Sequence, residues 1–98
     1  MQVTGKVVVV TGGGNGIGKA LCEAFHQAGA ARVVVADIDP AAARAVATPI
    51  SGAAFKCDVG KETDILHVIE ETEHQFGPIA LFCSNAGIGG GFDPMSVN

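Results

Sequence analysis

This sequence predicts an α/β fold built on a parallel sheet, and three observations carry the prediction. Short β-branched runs alternate with segments of helical periodicity. Glycines and prolines punctuate the joints. The connections are long enough to hold helices, and right-handed crossovers return the chain in the same direction each time, which makes neighbouring strands parallel.

The elements follow in order. Lys6 to Val10 is an unbroken β-branched run ending at Thr11, the pattern of a strand buried on both faces. Gly12 to Gly18 is too rich in glycine to be a regular element. From Ile17 the apolar residues Ile17, Leu21, Ala24, Phe25 and Ala28 keep the spacing of one helix face, and Gly29 supplies a stop. Arg32 to Asp37 is a second strand. Pro40 suits the first turn of a short helix running to about Ala47. A loop over 48–52 leads to a weaker strand, Ala53 to Cys57. Glu62 to Phe76 has the clearest helical pattern, with Ile65, Ile69, Thr72 and Phe76 on one face beside Leu66 and Val68. Gly77-Pro78 ends it, and Ile79 to Cys83 is a fourth, wholly apolar strand. Gly87 to Asn98 has no pattern.

Composition narrows the class. Ninety-eight residues, 48% apolar and 16% charged, suit one domain with a modest core. No apolar run approaches the roughly 20 residues that span a bilayer, and the start lacks a signal-peptide pattern, so no membrane association and a cytoplasmic location are expected. A net charge of −4 without a Lys/Arg cluster argues against a nucleic-acid partner. Cys22, Cys57 and Cys83 are odd in number and form no metal-binding spacing, and their plain reading is buried small hydrophobes. His26, His67 and His74 fall away from the apolar stripes. Glu70 and His74 stand one helical turn apart, but so do many solvated pairs, and no metal site is expected.

Function begins with Thr11-Gly12-Gly13-Gly14-Asn15-Gly16-Ile17-Gly18, placed between a strand and a helix. Glycines permit the tight turn, and the missing side chains let backbone approach a pyrophosphate. The helix start then aims free N–H groups and a positive dipole end at the anion. The competing reading is a glycine-rich turn with no ligand. A P-loop reading fails because no Gly-Lys-Ser/Thr closes the segment. About twenty residues on, Asp37 ends the second strand, where a carboxylate accepts hydrogen bonds from ribose hydroxyls and repels a 2′-phosphate. No Arg or Lys occupies Gly13, Gly14 or Asn15, so NAD is favoured over NADP.

The Thr-Gly-x-x-x-Gly-x-Gly spacing resembles that of the short-chain dehydrogenases/reductases. Two further stretches agree with that family, Asp58-Val59 after the third strand and Ser84-Asn85-Ala86-Gly87 after the fourth, where Ser84 replaces the family's usual first Asn. The resemblance covers essentially the whole chain. It implies a Rossmann-like sheet with strand order 3-2-1-4, an incomplete doubly wound three-layer fold, with residues 1–98 as its NAD-binding segment. It further implies cofactor contacts from Gly12, Asn15, Gly16, Ile17, Gly18, Asp37, Ile38, Asp58, Val59, Asn85, Ala86 and Gly87. For Asp58, a role in the start of the following helix competes with an adenine contact, and the two roles are compatible.

The family's reaction moves a hydride between NAD and an alcohol or carbonyl, with a tyrosine as acid/base and a lysine four residues later. This chain contains no tyrosine, so no catalytic residue is assigned. The resemblance therefore implies either part of a larger dehydrogenase acting on a small alcohol or carbonyl, or a non-catalytic nucleotide-binding or interaction module. The 98 residues alone are expected to be inactive. An apolar fourth strand suits a neighbour on each side, so self-association through its open edge, and a homo-oligomer, are expected.

Overall fold

Burial on both faces is what makes strands of the valine runs. A computed structural model describes residues 2–14 and 16–84. Its elements are β1 (Val7–Thr11), α1 (Gly16–Gln27), β2 (Arg32–Asp37), α2 (Pro40–Ala47), a 3-10 turn at Thr48–Ile50, β3 (Ala53–Lys56), α3 (Glu62–Phe76) and β4 (Ile79–Ser84). The four strands form one sheet in the order β3-β2-β1-β4, and every pairing is parallel. This is the Rossmann-like order expected.

Alternation along the strands distributes the core. Val8 and Val10 of β1 and Val33 and Val35 of β2 pack with Cys22 of α1 and with Ala43, Val46 and Ala47 of α2. Val7, Val9, Val34 and Ala36 point the other way and pack with Val68 of α3 and with Cys57. The period of two thus places α1 and α2 on one face and α3 on the other, giving three layers. Burying each valine contributes about 1.5–3 kcal/mol, against about 1 kcal/mol for a helix cap, so β1 and β2 dominate the stability of the segment. The outer strands are less covered. In β4, Ala80 is exposed and Leu81 and Phe82 are half-buried, and among the described residues its partner is β1.

The face of α1 differs from the periodicity, whereas that of α3 agrees with it except at Leu66. In α1 the buried positions are Gly18 and Cys22, flanked by half-buried Leu21 and Phe25, while Ile17, Ala24 and, just past the helix, Ala28 are exposed. The expected stripe is rotated because α1 presses Gly18 against the end of β1. A Cβ on Gly18 would run into the carbonyl oxygen of Gly12 and stand 2.8 Å from the Gly13 Cα. In α3, Val68 and Thr72 form the buried centre and Leu66 faces out. Helix α1 ends as its glycine predicts. Gly29, at φ 92°, donates to His26, and Ala30 donates to Phe25, which satisfies two terminal carbonyls. Among the described residues no helix is long and apolar enough to cross a membrane.

Candidate functional site

The glycine segment leaves β1 at its carboxyl end and is tied sideways to β2. The Gly13 amide donates to the Ala36 carbonyl at 3.2 Å, which extends the β1–β2 ladder one step past the strand. The Gly14 amide donates to Oδ2 of Asp37 at 3.0 Å. Thr11, buried at the last position of β1, donates its hydroxyl to the Cys83 carbonyl on β4 at 3.3 Å. The last residue of β1 is thus tied to β4, and the loop that follows it is tied to β2. Gly12 and Gly16 take positive φ, 67° and 58°, where side chains are strained. Gly16 opens α1, whose first-turn N–H groups have no acceptor within the helix.

Asp37 is only 9% exposed. Besides the Gly14 amide it accepts from the Asp39 amide, through Oδ1, at 2.9 Å. An ionised carboxylate has about four acceptor positions, so these two bonds leave capacity for two more. Ile17 and Ile38, at 62% and 60% exposure, are the large apolar side chains offered to solvent from α1 and from just beyond β2.

Asp58 behaves differently. Its Oδ1 accepts from the Gly60 amide at 2.9 Å, and its own amide donates to Asp64 Oδ2 at 3.0 Å. Asp58 thus shapes the turn ahead of α3, while the residue capping that helix is Lys61, whose side chain makes no capping bond. Val59 is half-buried. Apolar periodicity passes over three residues that matter here. Asp39 caps α2 by accepting from the Ala41 and Ala42 amides, at 3.0 and 3.2 Å. Ala42 sits where a Gly14 side chain would go, 2.7 Å from a Cβ placed there. Asp64 holds the Asp58 turn. Asp39-Pro40 and an acid in the first turn of α3 are recognisable helix-start signals, whereas the Ala42 contact has no sequence signal.

The structure brings Gly12, Gly16, Ile17, Gly18, Asp37, Ile38, Asp58 and Val59 to the carboxyl ends of β1, β2 and β3. Asn15, Asn85, Ala86 and Gly87 lie outside the described residues. All three cysteines are buried, as expected. Burial, and then the neighbouring Cys83 and Glu23, push the Cys22 thiol up to about 12. Burial, with Asp64 and Asp58 behind it, raises Cys57, and burial raises Cys83. None is poised as a thiolate nucleophile. Among the described residues no group of three His, Cys, Asp or Glu side chains is placed to hold a metal ion.

A glycine loop closing β1, an acid ending β2 and parallel order 3-2-1-4 can be compared with known proteins. The family model described as short chain dehydrogenase matches residues 6–97. The chain belongs to this family. Among its relatives, L-fucose dehydrogenase of Bos taurus is 45% identical over 87 residues, covering 88% of this chain and 32% of that protein. Tropinone reductase-like 1 of Erythroxylum coca is 41% identical over 89 residues, covering 89% of this chain and 32% of that protein. A solved structure described as ribose-5-phosphate isomerase from Brucella melitensis 16M superimposes with a TM-score of 0.82 at 34% identity, over 89% of this chain and 34% of that one. This short chain dehydrogenase segment thus spans about a third of the length of the relatives it matches.

Proposed function

We propose that this chain is the NAD-binding segment of a short-chain oxidoreductase that transfers hydride between NAD and a small alcohol or carbonyl. The observation that carries the reading is the Asp37 carboxylate at the lip of the glycine loop, 3.0 Å from the Gly14 amide, with acceptor capacity to spare. The residues present fit the cofactor. Gly16, Ile17 and Gly18 offer first-turn amides and the positive end of α1 to a pyrophosphate. Asp37 accepts from adenosine ribose hydroxyls and opposes the added charge of a 2′-phosphate. Ile38 and Val59 supply apolar surface for adenine. When bound, NAD accepts or supplies the hydride; the chain's own residues bind and orient it. The catalytic acid/base is not among these 98 residues, which contain no tyrosine.

Titration of the full-length protein with NADH and NADPH tests the proposal. A preference of at least about tenfold for NADH is expected from the position of Asp37. Equal affinity would remove the NAD assignment, and no binding of either would remove the dinucleotide site.

A further inference from the structure

Two neighbouring ties hold the first half of the glycine loop against β2. The Gly13 amide meets the Ala36 carbonyl, and the Gly14 amide meets Oδ2 of Asp37. The second carboxylate oxygen is engaged as well, by the Asp39 amide at the start of the turn into α2. Packing closes the same junction. A Cβ on Gly14 would stand 2.7 Å from Ala42 Cβ and 2.8 Å from Asp37 Oδ2, so loop, carboxylate and α2 are already in contact.

We infer that Asp37 is a positioning residue for the glycine loop, clamping Gly14 to the turn between β2 and α2, in addition to meeting the ribose. The inference deepens the proposed function and rests on it. Its physical basis is the loop's own composition. Glycines 12, 13, 14 and 16 leave the segment with a large set of alternative conformations, and each must be given up when the loop receives a ligand. A carboxylate accepting from backbone N–H makes a bond about twice as strong as a neutral one, and this one lies in a nearly buried place. Gly14 lies two residues before Gly16, where α1 starts, so holding its amide restricts where the first-turn amides point. On this account Asp37 acts on pyrophosphate affinity, a part of the ligand that its ribose contact does not involve.

The two roles separate with a ligand that lacks ribose hydroxyls. ADP and 2′,3′-dideoxy-ADP share adenine and diphosphate, and the second offers nothing for a ribose-binding acid. The experiment is calorimetric titration of full-length wild type, Asp37→Ala and Asp37→Asn with both nucleotides, alongside hydrogen exchange of the Gly14 amide without nucleotide. Asp37→Ala is expected to weaken dideoxy-ADP by about tenfold and to speed Gly14 exchange by about tenfold. Asp37→Asn, which keeps one acceptor oxygen, should fall between alanine and wild type and serves if the alanine variant does not fold. Dideoxy-ADP bound equally by wild type and both variants, or unchanged Gly14 exchange, would overturn the clamp while leaving the ribose role standing. Failure of wild type to bind either nucleotide would instead bring down the dinucleotide reading, and the inference with it.

Discussion

Asp37 closes β2 and Asp58 lies two residues past the end of β3, each ahead of a helix, yet their carboxylates do different things. Asp37 reaches across to a loop 23 residues away in sequence and ties it to β2. Asp58 bonds to Gly60, two residues on, and shapes only its own turn. The difference follows from the sheet order. β2 pairs directly with β1, so the acid at its end faces the segment leaving β1, whereas β3 is the outer strand and lies beyond β2 from that loop. The same residue type near two strand ends bonds to a neighbouring loop or to its own turn according to which strand is next door.

The largest test bears on the loop that Asp37 faces. Gly16→Val should reduce nucleotide binding by at least about a hundredfold, because a β-branched side chain is strained at φ 58° and fills the approach to the first-turn amides. Nothing lies within 4 Å of a Cβ at that position, so circular dichroism should still report a folded chain. Retained affinity would show that the loop is not the phosphate site. Next is the comparison of the acids themselves. Asp37→Ala should narrow the NADH-over-NADPH preference by about tenfold, and Asp58→Ala should leave that ratio unchanged. If titrations find the ratio moved equally by both, the two strand ends do not divide the work as described.

Stability sharpens the contrast at a smaller scale. Gly14→Ala forces a Cβ against Ala42 and Asp37 and should cost about 1–3 kcal/mol by denaturant unfolding. Gly60→Ala meets only the Asp58 side chain, at 3.2 Å, and should stay within about 0.5 kcal/mol. Equal losses at the two glycines would mean that both turns are equally constrained. The last test, confined to alkaline pH, concerns the thiol packed under Gly13. Folding raises Cys22 from 9.0 to about 12, so its contribution to stability is fully present below pH 9 and is lost as the pH rises toward 12. A Cys22→Ala variant should therefore show a shallower alkaline fall in Tm, and an unchanged slope would refute the assignment.

Much of this was legible without coordinates. The valine runs declare strands because residues of that shape, unbroken by polar ones, suit a sheet covered on both faces. The bounds of β2, α2 and α3 agree with the pattern, since Asp37 ends β2, Pro40 opens α2 and Gly77 follows α3. Gly29 was readable as the stop of α1. The buried face of that helix was not, because periodicity rewards apolar side chains, and the residue that anchors α1 is Gly18, which has none. In the same way Ile17 counts toward the stripe by hydropathy but is turned outward once Gly18 packs on Gly12.

What the sequence by itself determined is local: element types and order, the glycine loop's place between β1 and α1, and an acid at the end of β2. These depend on propensity and short-range spacing, which a linear chain displays directly. Only the tertiary structure decided that Asp37 holds the Gly14 amide, that Ala42 fills the space beside it, and that Asp58 keeps to its own turn. Contacts between residues 23 or 28 apart arise when parallel pairing brings β2 beside β1, and that adjacency belongs to the sheet rather than to either segment alone.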